Sequence, residues 1–204
     1  MKNILFLFGT RPEAIKLAPL ITEFKKHKNC TVKVGVTAQH REMLDQVLHF
    51  FEITPDYDLN IMSPGQTLPK LTADLITKIT NDILAKEQFD YVFVQGDTTT
   101  VMAGAMAAFY QKIKVVHIEA GLRSGDIYSP FPEEMNRILT SRIAEWHFCP
   151  TPKSAENLRA EGIKENIHIV GNTVIDALLA GIKKVESLDQ NVFFKQFFLF
   201  DESN

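Results

Sequence analysis

The stretch ILFLFGTRPEAIKLAPL, Ile4 to Leu20, changes its hydrophobic period in the middle, and that change decides the fold. Ile4 to Phe8 is an unbroken apolar run, the pattern of a strand covered on both faces. Gly9 permits a tight turn, Thr10 is a capping residue, Pro12 suits a first helical turn and Glu13 completes a T-x-x-E capping box. A helix therefore opens directly behind the strand. The apolar run is far too short for a membrane span or a signal-peptide core.

The same alternation continues along the chain. β-branched and aromatic residues predict strands at 3–8, 31–37, 91–95, 115–119, 146–149 and 167–170, and helical periodicity predicts helices at 13–27, 42–51, 71–86, 99–111, 133–144, 154–161 and 174–185. This rhythm implies an α/β, Rossmann-like fold with a doubly wound parallel sheet. Residues 1–185 are expected to form one domain. Residues 186–204 form a Phe-rich tail, in which Val192 to Phe200 carries five phenylalanines without turn chemistry before it.

The 204 residues are 45% hydrophobic and 23% charged, enough for a buried core and unlike a disordered chain. A formal net charge of −3 supplies no basic field, which disfavours a nucleic-acid partner. Cys30 and Cys149 stand far apart in no metal-binding or C-x-x-C pattern, so a reducing cytoplasm is expected, with neither a disulfide framework nor a zinc site.

In a doubly wound sheet, ligands bind beyond the carboxyl ends of the strands. The junctions there are FGTRPE, TAQHRE, VQGDTTT and HIEAGLRSG. The first places a helix amino end at the crevice, where free N–H groups and the helix dipole favour an anion; Arg11 and Lys16 add charge, or are merely solvated. Asp97 follows Gly96 and precedes three threonines, Thr98 to Thr100. It either caps the next helix or, if Thr98 caps, faces the crevice as acid, base or ligand holder. Glu119 ends an apolar strand, where burial raises a carboxylate's pKa; its bland alternative is an ion pair with Arg123. In PFPEEMNR, Glu133 and Glu134 suit a first helical turn, and Arg137 is spaced to pair with either, so one of the two is expected to be structural. Gln39 and His40 are ligand contacts or polar loop residues, and Gly171 to Asp176 reads as a hinge with a T-x-x-D cap.

Taken together, GTRPEAIKLAPL at 9–20, TAQHREMLDQV at 37–47, QGDTTT at 95–100, HIEAGLRSGD at 117–126, PFPEEMNR at 130–137 and GNTVIDALL at 171–179 resemble the non-hydrolysing UDP-N-acetylglucosamine 2-epimerases. The tail after about residue 185 lies outside these motifs. The resemblance implies a cytoplasmic isomerase that interconverts UDP-N-acetylglucosamine and UDP-N-acetylmannosamine for surface polysaccharides, without metal or redox cofactor. It implies two Rossmann-like domains in a GT-B-like arrangement, usually as a homodimer, of which this chain would hold the first. It also implies catalytic roles for Asp97, Glu119 and Glu134, contacts near the substrate phosphates for Arg11 and Lys16, and a second, regulatory UDP-sugar site at Gln39, His40 and Glu42. The alternatives are a catalytically silent nucleotide-sugar-binding module or partner subunit, and a hydrolysing epimerase or glycosyltransferase on the same fold.

Overall fold

The computed structural model describes residues 1–38, 41–63 and 65–187. Among them seven strands form one parallel sheet: β1 (Lys2–Phe8), β2 (Cys30–Val36), β3 (Tyr57–Asp58), β4 (Tyr91–Gln95), β5 (Lys114–Ile118), β6 (Trp146–Cys149) and β7 (Ile167–Ile169), in the order β3-β2-β1-β4-β5-β6-β7. The order reverses between β1 and β4, which are hydrogen-bonded neighbours with Phe6 opposite Phe93. That reversal is the topological switch point of a doubly wound fold.

The two-residue strand β3 escaped the sequence reading because it is too short to show a period; it pairs with Gly35 and Val36 at the sheet edge. The helices are α1 (Arg11–Lys26), α2 (Arg41–Phe50), α3 (Leu68–Lys78), α4 (Thr99–Tyr110), α5 (Glu133–Ile143), α6 (Pro152–Ala160) and α7 (Val174–Ser187). The helix expected at 71–86 starts three residues earlier, with Pro69 in its first turn where no N–H is needed. It then widens into a π-helical segment, Ile79–Leu84.

Strand β1 shows why the sheet has a layer on each side. Phe6 and Phe8 pack with Ala14, Leu17 and Ile21 of α1 and with Leu44 and Leu48 of α2. The alternate residues Leu5 and Leu7 pack with Leu75, Ile79 and Ile83 and with Ala103 and Ala105 of α4. All four β1 side chains are fully buried, and each contributes roughly 2 kcal/mol relative to exposure. The apolar run at 4–8 is thus two half-cores interleaved at period two.

Helix α7 returns across the sheet to pack on α1, with Ala177 buried. Its Ile175, Leu178, Leu179 and Ile182 remain exposed. The Phe-rich segment expected beyond α7 lies outside the described residues.

Gly121 holds the turn after β5. Its φ of +84° is a left-handed conformation, and a Cβ there would stand 2.2 Å from the Ser154 carbonyl oxygen. Asn157 Nδ2 also donates to the Gly121 carbonyl at 3.0 Å, fixing the turn against α6. Gly121→Ala should therefore lower stability by about 2–4 kcal/mol, since both backbone strain and a backbone clash are introduced. Urea unfolding would check this; an unchanged midpoint would show that the turn relaxes freely.

Candidate functional site

The loops leaving β1 and β4 meet at the switch point around one buried carboxylate. Glu13, on the first turn of α1, is 2% exposed. Its Oε2 accepts the backbone N–H groups of Gly9 (2.8 Å) and Thr10 (2.7 Å) and the Thr10 hydroxyl (2.9 Å). Its Oε1 accepts the Thr98 hydroxyl at 2.6 Å. The acidic arm of the capping box is present, and it also reaches across to the β4 loop. Burial pushes the Glu13 carboxyl above its ordinary range, while the four donors favour the ionised form.

Thr98 is the N-cap of α4, accepting from the Val101 N–H. Asp97 is consequently not the cap. Its Oδ2 accepts from Arg137 Nε at 3.0 Å and Nη2 at 2.7 Å, and its backbone carbonyl accepts from Asn136 Nδ2 at 2.9 Å. Arg137 Nη1 donates to Glu134 Oε2 at 2.7 Å, so one guanidinium bridges two of the carboxylates that the sequence singled out.

Of the adjacent pair on α5, Glu134 is the buried member, 1% exposed. Its Oε1 accepts the Ser124 and Gly125 N–H groups at 3.0 and 3.2 Å. Burial acts to raise its pKa, but the hydrogen bonds from Arg137, Gly125 and Ser124 outweigh it and hold the group below the ordinary glutamate value. Glu133 is half-buried, and its carboxylate makes no hydrogen bond or ion pair with a described residue.

Glu119 follows β5 with φ +66°, a left-handed conformation rare for a side chain of its size. Its partner is Lys16 of α1, at 2.8 Å to Oε1 and 2.6 Å to Oε2, and Asn172 Nδ2 reaches Oε2 at 3.1 Å. The alternative of an ion pair with Arg123 is not what forms. Arg123 instead forms a two-pronged ion pair with Glu161, at 2.6 and 2.9 Å, and donates to Ser141 Oγ. The two residues lie four apart in sequence, but the turn at Ala120 and Gly121 sends them in different directions.

Lys16 is thus engaged by a carboxylate, whereas Arg11 is exposed at the first position of α1 and pairs with no described residue. At Asn172 the hinge motif departs from its expected T-x-x-D cap: Asn172 Oδ1 accepts the Val174 N–H, while its amide reaches Glu119. Glu42 is exposed in the first turn of α2, and Gln39 and His40 lie outside the described residues. No group of three or more His, Cys, Asp or Glu side chains among the described residues is arranged to hold a metal ion.

Against known proteins, the family model described as UDP-N-acetylglucosamine 2-epimerase matches residues 22–201. The chain belongs to the UDP-N-acetylglucosamine 2-epimerase family. It is 59% identical over 186 residues to the enzyme of that name from Salmonella borreze, covering 91% of this chain and 49% of the relative. The crystal structure of the Neisseria meningitidis UDP-GlcNAc 2-epimerase bound to UDP-GlcNAc superposes with a TM-score of 0.91 at 53% identity, covering 99% of this chain and 54% of that one. The Methanocaldococcus jannaschii UDP-GlcNAc 2-epimerase, in complex with UDP-GlcNAc and UDP, gives 0.86 at 40% identity over 95% of this chain and 53% of that one. The chain spans about half the length of the relatives it matches. The family match begins after the first motif and runs past the last one, through most of the Phe-rich segment.

The sequence reading missed the central role of Glu13, and it missed Asn172 as a partner of Glu119. The capping box was visible for Glu13, but nothing in a linear pattern shows that Thr98, 85 residues later, arrives at the same carboxylate. His117 is a further buried contributor. Its Nε2 lies 2.8 Å from the Gly96 carbonyl and its Nδ1 has no partner, so Nε2 carries the proton of a neutral imidazole. Burial pushes both His117 and its cross-strand neighbour His147 down to about 4.

Because these folded-state values lie below the ordinary 6.5, protonation favours the unfolded chain. Stability is therefore fully present above about pH 6.5 and lost as the pH falls toward 4, by up to about 3 kcal/mol from His117 alone. Glu13, pushed upward by burial, acts in the opposite sense, so the comparison that isolates the imidazole is wild type against His117→Gln. Urea midpoints measured from pH 7.5 to 4.5 should fall less steeply in the variant; parallel profiles would count against a buried neutral His117.

Proposed function

We propose that this chain holds the carboxylate-bearing half of a UDP-N-acetylglucosamine 2-epimerase active site, in the cytoplasm, with a second Rossmann-like domain completing a GT-B-like cleft. The observation that carries this reading is the convergence of Asp97, Glu119 and Glu134 with Arg11, Lys16 and Arg137 around the ends of β1, β4 and β5. Similarity to a homologue bound to UDP-GlcNAc supports the same ligand class. UDP-N-acetylmannosamine would be the other partner in the interconversion, and the full-length protein is proposed to act as a homodimer.

The chemistry explains the mixture of charges. The hydrogen on sugar carbon 2 has no adjacent carbonyl and cannot be removed directly at neutral pH. Cleavage of the anomeric carbon–oxygen bond, with UDP taking the electron pair, creates oxocarbenium character and acidifies that hydrogen. Its removal gives a 2-acetamidoglucal; protonation at carbon 2 from the opposite face and return of UDP to carbon 1 complete the epimerisation. Carboxylates facing the sugar stabilise the developing positive charge and move the proton. Arg11, at a helix amino end and without a carboxylate partner, suits the departing diphosphate. Lys16 would serve the same charge once it exchanges Glu119 for phosphate.

We assign proton transfer to Asp97 and Glu119. In the first turn of α5, Glu133 is the carboxylate open to a ligand, and Glu134 contributes through Arg137. A regulatory UDP-sugar site at Gln39, His40 and Glu42 remains part of the proposal on motif resemblance alone. One second reading is a catalytically silent nucleotide-sugar-binding module or partner subunit, which the match to about half of the relatives' length supports.

Proton NMR of the chain with UDP-N-acetylglucosamine in deuterated water tests the proposal. Broadened uridine lines without loss of the carbon-2 proton are expected for a binding half; exchange with new N-acetylmannosamine signals would show that this half suffices. In a chain of the relatives' full length, Asp97→Asn or Glu119→Gln should lower epimerisation by about 10²–10⁴-fold. Near-normal rates in both variants would return these carboxylates to a structural role.

A further inference from the structure

Arg137 holds Asp97 from one side only. Its Nε and Nη2 converge on Oδ2, while Asp97 Oδ1 has no hydrogen-bond partner among the described residues. The third guanidinium nitrogen is tied to Glu134, which is itself tied to the Ser124 and Gly125 backbone. A chain of charge-assisted contacts therefore runs from the loop after β5, through α5, to the loop after β4. The Asp97 side chain stays 26% exposed, whereas that of Glu134 is 2% exposed.

We infer that Glu134 and Arg137 are positioning residues for Asp97, fixing its carboxylate so that Oδ1 alone is presented to the sugar. The inference rests on the reading of Asp97 as a residue that touches substrate. Its physical basis is the planar guanidinium. Two donors on one oxygen restrict the carboxylate torsion, and the third donor, anchored to a buried glutamate, prevents the guanidinium from swinging out with its partner. A lysine would keep the charge and lose this geometry. Removing the cation altogether would leave two neighbouring carboxylates to repel each other.

The test is carboxyl-carbon NMR of this chain, titrated with UDP-N-acetylglucosamine, in wild type, Glu134→Gln, Arg137→Lys and Arg137→Met. Amide spectra establish that each variant is folded. In wild type the Asp97 carboxyl signal should move on ligand addition. Glu134→Gln and Arg137→Met should lose at least half of that movement and bind about tenfold more weakly, with partial recovery in Arg137→Lys. The Glu134 carboxyl should also titrate at higher pH in Arg137→Met than in wild type. A folded Arg137→Met whose Asp97 response equals wild type overturns the inference, and if that variant does not fold, an unchanged response in Glu134→Gln does so. A wild-type Asp97 signal indifferent to the ligand overturns instead the reading of the site on which the inference rests.

Discussion

The Glu13 carboxylate is the contact on which the crevice depends. A doubly wound sheet necessarily splits its loops at the point where strand order reverses, because the connections behind β1 and β4 leave toward opposite faces. Something must hold the two loops in register across that split. Here it is a single buried carboxylate, taking two N–H groups and a hydroxyl from the β1 side and the Thr98 hydroxyl from the β4 side. Removing it would leave those donors unsatisfied in a water-poor setting, and the loop that carries Asp97 would lose its fixed relation to α1. The Thr37–Thr100 hydroxyl contact, 3.0 Å and fully buried, extends the same polar seam to β2.

Outward from this seam, Asp97, Glu119 and Glu134 are each matched to a cation or to backbone donors. Glu119 has Lys16, Asp97 has Arg137, and Glu134 has Arg137 with two N–H groups. Such an arrangement keeps several negative charges close together without mutual repulsion, yet leaves them unequal. Glu134 has spent both oxygens internally, while Asp97 retains one. Inequality of this kind lets carboxylates of one type take different roles in one site.

Much of this was legible in the sequence where the signal was local. The strand and helix alternation, the Thr98 cap that frees Asp97, and the conflict between Glu133 and Glu134 for Arg137 all follow from spacing along one element. Glu119 shows the limit. Its nearest cation in sequence is Arg123, and pairing them was reasonable until the left-handed turn at Gly121 directed Arg123 toward Glu161. Its actual partners, Lys16 and Asn172, lie 103 and 53 positions away. The edge strand β3 was invisible for a different reason, since two residues cannot display a period.

By itself the sequence determined the fold class, the elements apart from the edge strand β3, and which junctions hold reactive residue types, because periodicity, capping and turn chemistry act over a few neighbouring residues; the family was legible through the resemblance of its six motifs. Tertiary structure alone decided which charges meet. Ion pairs across a crevice depend on the order in which strands assemble and on the direction each turn takes, and neither is written in local spacing. Glu134 reads as Glu133's equal in the chain; only the fold buries one against Arg137 and leaves the other open.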